Sequence, residues 1–274
     1  MRLPAALLIN QRDATNDALK RRWNSLLWLW LFVVAAWAVT LLAVITRHTE
    51  WGDHHYLLQS SGLPFVSAAG FFLASWQVMI LAMMVPSIAP LLRQVARANA
   101  TSPGALAMFL AGYDLVWTAF GCVAFFGDVL LHRLVESWSW LGIHSAIIAT
   151  VLLAVAGAYQ FTPRKTRFIM ACRGELGNHS DAHATDVARL DTACRSGARA
   201  GLLHLGSCWA LMLAMFGVGM GNLMWMVALT GVMLAEQLSG ARALRWSVGA
   251  VFLALAALTA LTLAPLGPFA SLSD

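Results

Sequence analysis

Residues 200–219, AGLLHLGSCWALMLAMFGVG, form an uncharged run of apolar and small side chains. An α-helix of about 20 residues is long enough to cross the hydrocarbon core of a bilayer. The rest of the sequence has the same character, since 59% of its 274 residues are hydrophobic and only 11% are charged. These fractions lie outside those of ordinary soluble domains. The sequence therefore predicts an integral membrane protein.

Seven runs of this kind occur along the chain. Each has the length and composition of a spanning helix, and only helices or closed barrels satisfy their backbone groups in lipid. The runs lie at about 24–46, 71–92, 105–131, 141–162, 200–219, 222–239 and 246–264. We predict an all-α fold, a polytopic helical membrane bundle of about seven transmembrane helices. Six spans remain the alternative, because the stretch 200–239 could be divided differently.

Positive charge predicts the orientation of the bundle. Lysine and arginine near the ends of spans resist translocation across a membrane. With a cytoplasmic N-terminus, the inner segments hold all but two of the 18 basic residues, and the outer segments keep only Arg47 and Arg133. The formal net charge of +5 then reflects topology rather than a nucleic-acid partner. We expect a multi-pass protein with its C-terminus on the outer side.

The sequence predicts one helical domain with short flanking segments. Residues 1–23 form a cytoplasmic N-terminal segment, 24–265 the transmembrane domain and 266–274 a short outer tail. The domain contains an outer loop at 47–70 and an inner loop at 163–199, both polar and both containing glycine and serine. Neither loop has enough apolar residues to build a core of its own.

Prolines mark two places along the spans. Thr162-Pro163 is expected to stop the fourth span, because proline cannot extend the hydrogen-bond ladder of a helix. Pro86 and Pro90 lie within the second span, where the carbonyl groups that they release must find other donors. We therefore predict a kink in the second span, and kinks in membrane helices often border a cavity.

The run at 200–219 also places three metal-competent side chains on one helix face. His204, Cys208 and Met212 follow one another at intervals of four residues, and residues i and i+4 stack about 6 Å apart on a helix. Imidazole with soft sulfur ligands suits Cu(I), and a Cys/His set also suits Zn(II). The alternative is packing, with cysteine as a small hydrophobe, methionine filling gaps and histidine bonded to another helix.

Methionines at the same spacing occur in the second span. Met79 and Met83, in WQVMILAMMVPSIAP, lie one helical turn apart. A methionine stripe is more often packing than ligation. Together with the column of His204, Cys208 and Met212 on the fifth span, these two become candidate supplementary ligands.

Two carboxylates lie within predicted spans, where ionisable groups are costly and often functional. Asp114, in AGYDLVW, lies well inside the third span. Glu236 lies near the inner end of the sixth span, close to Arg242 and Arg245. Each is a candidate proton or cation site or, alternatively, a structural hydrogen-bond acceptor, and the structural interpretation is the stronger one for Glu236.

The four cysteines do not indicate disulfides. Two lie in spans, while Cys172 and Cys194 lie in the inner loop, where a reducing cytosol disfavours bridging. With His179 and His183 these two give four zinc-type ligands, but their spacing is not that of a standard zinc site. Motifs such as Gly-x-Ser-x-Gly and His-Glu-x-x-His do not occur, so we predict no catalytic residues.

Four stretches together resemble an uncharacterised bacterial family described as predicted metal-binding integral membrane proteins. They are WQVMILAMMVPSIAP (76–90), AGYDLVWTAF (111–120), AGAYQFTPRKTRFIMACR (156–173) and GARAGLLHLGSCWALMLAMFGVGMGNLMWM (197–226). The resemblance covers about residues 70–240. It implies a multi-span protein of a bacterial inner membrane with a metal site, and it implies no particular activity.

The sequence departs from that family at its cysteines. Where the family tends to have Cys-x-Gly-Cys-Cys-Trp, this chain has His204, Ser207 and Cys208. Histidine keeps a metal ligand, whereas serine removes one. After Tyr-Gln-x-x-Pro-x-Lys the family has two cysteines, and here Phe168 replaces the first while Cys172 keeps the second. The resemblance thus implies a reduced ligand set of Cys172, His204 and Cys208, supplemented by the methionines named above.

The leading hypothesis is a membrane protein that binds a soft transition metal, with copper favoured over zinc, between the second and fifth spans. Cys208 is its central ligand, with His204 and Met212 beside it. The protein would hand the metal to a membrane or periplasmic acceptor protein. One alternative is a structural or assembly subunit without metal, and another is a membrane enzyme that uses Asp114 or Glu236 with the metal. The sequence favours a protein that is not an enzyme.

Overall fold

All regular elements in the described part of the chain are α-helices. The computed structural model describes residues 27–46, 64–98, 103–138, 146–174, 186–218 and 222–263. In chain order the helices are α1 (Leu27–Ile45), α2 (Phe65–Ser87), α3 (Ala89–Ala98), α4 (Pro103–Ser137), α5 (Ala146–Gln160), α6 (Pro163–Gly174), α7 (Asp186–Val218), α8 (Leu223–Ser239) and α9 (Arg242–Leu263). The predicted all-α class is confirmed for these ranges. The terminal segments predicted at 1–23 and 266–274, and most of the outer loop, lie outside them.

Five helices are long and apolar enough to cross a membrane by length and composition: α1, α2, α4, α7 and α9. Helices α5 and α6 would add a sixth span if they form one together, although they are bent by 65° at the break between them. Helix α8 is apolar but has only 17 residues. Each of the seven predicted runs overlaps a helix, while a total of seven spans stays a prediction.

The kink predicted in the second span is a break at Ile88, where α2 ends and α3 begins. Because Pro86 has no N–H, the carbonyl of Ala82 lacks its helical donor. The indole N–H of Trp37, on α1, donates to that carbonyl at 3.0 Å. The amide of Ile88 donates to the carbonyl of Pro86, which Pro90 leaves free. Neighbouring groups thus satisfy the carbonyls that both prolines release.

The segment 163–199, predicted as an inner loop, is largely helical. Pro163 follows the end of α5 as expected, but it also takes the first position of α6, where a missing N–H costs little. Thr162 caps this helix, because its hydroxyl accepts a hydrogen bond from the amide of Lys165 at 3.3 Å. Helix α7 begins at Asp186, before the apolar run that predicted it. The polar residues at 163–174 and 186–199 therefore lie on α6 and on the first part of α7.

Helices α4 and α7 cross at close range because glycines lie at their contact. A Cβ atom on Gly197 would collide with the backbone carbonyl of Phe109, and one on Gly112 would collide with that of Cys194. Small residues let helix backbones approach closely, which favours packing between membrane helices. This crossing brings the side chains of α4 within reach of those on α7.

The buried core lies between α2, α4, α7 and α8. Trp76 on α2 and Trp117 on α4 have no exposed surface, and the indole N–H of Trp76 donates to the carbonyl of Trp117 at 2.9 Å. The outward faces of α1, α4 and α9 expose large hydrophobic side chains such as Leu31, Phe126 and Leu261. Extensive exposed apolar surface of this kind is typical of contact with lipid or with another protein.

Candidate metal centre

His204 lies on α7 and is fully buried. The hydroxyl of Tyr113, on α4, lies 2.5 Å from Nδ1 of its ring, and the hydroxyl of Ser87, at the end of α2, lies 3.3 Å from Nε2. The ring also packs edge-on against Trp117, with 5.7 Å between the ring centroids. Side chains from α2 and α4 therefore fix the position of this histidine.

One arrangement of protons satisfies these bonds. The hydroxyl of Ser87 donates to the carbonyl of Met84 at 2.7 Å, so it accepts from Nε2–H of His204, while Nδ1 accepts from the phenol of Tyr113. The contact at Nδ1 is short and the contact at Nε2 is long. Ser87 also keeps its bond to Met84 without the histidine. Nε2 is therefore the ring nitrogen that a ligand could engage at the smaller cost.

Cys208 and Met212 continue the predicted column along α7, and both are buried. The thiol of Cys208 donates to the carbonyl of His204 at 3.1 Å, a bond within the same helix. Met212 lies in the hydrophobic core. The described residues contain no group of three or more His, Cys, Asp or Glu side chains placed to hold a metal ion. The ligand roles of this column stay predictions.

A cavity of about 40 Å³ lies at the break between α2 and α3. Ser87 and Ile88 line it at the break, Cys172 lines it from α6, His204 from α7 and Gln237 from α8. The predicted kink therefore does border a cavity. Its volume is sufficient for one water molecule or a metal ion. We call it the His204 cavity.

Cys172 and His204 are the predicted ligands that line this cavity together. Cys172 lies near the end of α6 and is half-buried, whereas Cys208 and Met212 do not line the cavity. Met79 and Met83 lie in the core along α2 and do not line the cavity. The structure therefore places Cys172 and His204, from two different helices, on one small cavity.

Phe168 on α6 and Ser207 on α7 stand at two positions where the resemblance described above would place cysteine. The ring of Phe168 occupies the space next to Gly206 that a Cβ atom there would take. Ser207 is buried, and its hydroxyl donates to the carbonyl of His204 at 2.7 Å and accepts from the amide of Gln237 at 3.0 Å. These two positions contribute packing and hydrogen bonds to the region around the cavity.

A buried ion pair connects α6 with α8. Nζ of Lys165 lies 2.7 Å from Oε2 of Glu236, and the two side chains are 0% and 3% exposed. Arg245 lies on the same side of α6, where it donates to the carbonyl of Gly240 at 2.9 Å and to the hydroxyl of Thr166 at 3.2 Å. This pairing supports the structural interpretation of Glu236, with a lysine as its partner instead of the arginines that follow it in sequence.

Asp114 is half-buried between α2 and α4. Its carboxylate accepts a hydrogen bond from the amide of Gln77 at 3.4 Å and one from the hydroxyl of Thr118 at 3.5 Å. It does not line the His204 cavity. The contacts support the structural interpretation of Asp114, and its role as a proton or cation site stays a hypothesis.

The sequence did not single out two residues of this region, Tyr113 and Lys165. Tyr113 follows Gly112 in an apolar helix. A small residue such as Gly112 lets a neighbouring helix approach closely, and a buried tyrosine hydroxyl usually has a hydrogen-bond partner. Lys165 lies one turn before Ile169, and both are completely buried. Once Pro163 is taken as a helix start, the spacing of these two places the lysine on the buried face of α6.

In its described ranges the chain is thus an all-helical bundle rich in long apolar helices, with a histidine and a cysteine lining one small cavity. Residues 73–259 match the model of the family PpoB2, whose description is copper chaperone. Because this match covers more than half of the chain, the protein belongs to that family. The matched region includes every residue that lines the His204 cavity. No curated protein and no solved structure gives a significant match to the chain.

Proposed function

We propose that this protein is a multi-pass inner-membrane protein that binds copper as Cu(I) in the His204 cavity and hands it to a membrane or periplasmic acceptor protein. The observation that carries the proposal is the presence of Cys172 and His204 on the same cavity. Membership of a copper chaperone family and the long apolar helices support the cargo and the location.

The donor atoms favour Cu(I) over Zn(II). Soft sulfur ligands combined with imidazole select Cu(I), whereas structural zinc sites are almost always four-coordinate. Only two candidate ligands line the cavity, and no larger group of His, Cys, Asp or Glu occurs in the described ranges. Cu(I) tolerates such a low coordination number. A site with few ligands also gives up its metal more easily, which a chaperone requires.

Each residue has a distinct role in this proposal. Nε2 of His204 and the sulfur of Cys172 bind the copper, and the thiol of Cys208, one helical turn beyond His204 on α7, is the next sulfur along that helix. The bond from Nε2 to Ser87 is the one that copper replaces. The phenol oxygen of Tyr113 then accepts a hydrogen bond from Nδ1–H, because a ligating histidine usually donates its other ring N–H to a neighbour. Met212, one turn beyond Cys208, is the next soft donor toward the core.

The cavity is placed for exchange at one end of the bundle. Its lining includes Arg173 and Leu238, both of which are exposed. Basic residues are typical of the cytoplasmic ends of spans, and the exposed Arg173 therefore supports a cytoplasmic position for this opening. We propose that copper enters the protein there.

Metal binding tests the proposal directly. Purified protein in detergent, reduced and titrated with Cu(I) against a chromophoric chelator, should bind copper, and Cys172→Ser and His204→Ala should each abolish high-affinity binding. Cys122→Ser and Cys194→Ser are matched controls, because these cysteines do not line the cavity, and they should bind like the unmutated protein. No binding by the unmutated protein would refute the proposal.

A further inference from the structure

A second recess, larger than the His204 cavity, lies beside the bend between α5 and α6. It has a volume of about 660 Å³. Phe168 on α6 and Leu203 and Trp209 on α7 form its apolar wall, while Arg164 and Arg167 line it from the start of α6. The two recesses share no lining residue. We call the second one the Arg164 groove.

The two arginines are placed to bind an anion. Arg164 and Arg167 are three residues apart, so they lie on one face of α6, and both are exposed. The ion pairs among the described residues join Lys165 with Glu236 and Arg195 with Asp191, so neither arginine of the groove has a described acidic partner. Arginine pairs well with phosphate because its guanidinium offers several donors in one plane.

The rest of the groove lining is apolar, and contacts between α5, α6 and α7 hold it in place. The hydroxyl of Tyr159 donates to the carbonyl of Gly206 at 2.5 Å, so it is not available to a ligand. The ring of Tyr159 also packs edge-on against Trp209, with 5.1 Å between the ring centroids. Phe168 fills the space over Gly206. The groove therefore combines a positively charged end with a preformed hydrocarbon-like surface.

We infer that the Arg164 groove binds an anionic phospholipid, with its phosphate on Arg164 and Arg167 and an acyl chain along Leu203 and Trp209. A soluble anion would leave the apolar wall unused, and an uncharged hydrocarbon would leave the arginines unused. Basic pockets between helices on the cytoplasmic side of a membrane bind anionic headgroups. The volume lies within the usual range of small-molecule sites. The inference rests on the proposed membrane location, but not on copper binding.

Native mass spectrometry and thermal unfolding of delipidated protein in detergent test this inference. Phosphatidylglycerol should bind and raise the unfolding temperature, whereas phosphatidylcholine should do neither. The double variant R164Q/R167Q should lose both effects of phosphatidylglycerol. The control R93Q/R97Q removes two exposed arginines of α3 that lie outside the groove, and it should keep both effects. Equal losses in the two variants would mean diffuse attraction to anionic lipid and would overturn the inference.

A competition experiment and a further substitution identify the ligand. Glycerol 3-phosphate carries the phosphate without the acyl chains, so it should not compete with phosphatidylglycerol, and effective competition would overturn the lipid assignment. Ala171 lines the groove, so Ala171→Trp should narrow it and reduce lipid binding. Cu(I) titration of R164Q/R167Q separates the two proposals, because this variant should bind copper normally. Selective lipid binding by a protein that binds no copper would leave this inference intact.

Discussion

The hydroxyl of Tyr113 lies 2.5 Å from Nδ1 of His204, while Nε2 lies on the side of Ser87, which lines the cavity. This geometry gives the two ring nitrogens of His204 different hydrogen-bond environments. One nitrogen is held by a short bond from another helix, and the other has a long contact that a metal could replace. If Nε2 held copper, the ring would carry its proton on Nδ1, and Nδ1–H would donate a hydrogen bond to the phenol oxygen of Tyr113.

Tyr113→Phe should weaken Cu(I) binding without removing a ligand. Loss of a hydrogen-bond partner of a metal-bound histidine typically lowers metal affinity by about 10–100-fold. Competition titration against a chromophoric chelator measures this change. Tyr159→Phe is the matched control, because it also removes a hydroxyl that bonds to α7 but lies outside the cavity. Unchanged affinity in Tyr113→Phe would argue against ligation through Nε2.

Copper should protect Cys172 from alkylation. A thiolate is the reactive form of cysteine, and a thiolate bound to copper is not free to react with a maleimide. In a chain whose Cys122 and Cys194 are replaced by serine, maleimide labelling of Cys172 should slow several-fold after Cu(I) loading. Adding His204→Ala should remove the protection. Labelling of Cys194, in a chain that keeps it instead of Cys172, should not respond to copper.

Gly197→Ala should destabilise the bundle, because its Cβ atom would collide with the carbonyl of Phe109. Overpacking of this kind typically costs about 1–3 kcal/mol. Gly127→Ala, on α4, is the control, since no atom lies within 4 Å of its Cβ position and alanine is the better helix former. Thermal unfolding in detergent should show a lower midpoint for Gly197→Ala alone. A normal midpoint would contradict the close crossing of α4 and α7.

Local chemistry made part of this fold predictable. Apolar runs located the helices, and the missing N–H groups of Pro86 and Pro90 predicted the kink and, through it, the cavity. The helical nature of 163–199 was not predictable from hydropathy, because α6 and the first part of α7 are polar helices. Spacing placed His204 and Cys208 on one face of α7.

Contacts between helices decided the rest of the site. The sequence paired the column of the fifth span with the second span, whose Ser87 does reach His204. The sulfur residue on the cavity is Cys172 of α6 instead of a methionine of α2. Which helices meet depends on glycine contacts such as the one between Gly197 and Phe109. No periodicity within a single helix contains that information.

The buried pair of Lys165 and Glu236 should be far more sensitive to single than to double replacement. Removing one partner leaves an uncompensated buried charge and typically costs about 3–5 kcal/mol, whereas replacing both with apolar residues is often neutral. Lys165→Met and Glu236→Gln should therefore lower the unfolding midpoint much more than the double variant K165M/E236M. The pair also holds α6, which carries Cys172, so the single variants should bind Cu(I) more weakly at temperatures where they stay folded. Asp191→Asn breaks the exposed pair with Arg195 and should change neither property, since surface ion pairs contribute little. If the double variant were as unstable as the single ones, the polar contacts of this region would matter more than the balance of its charges.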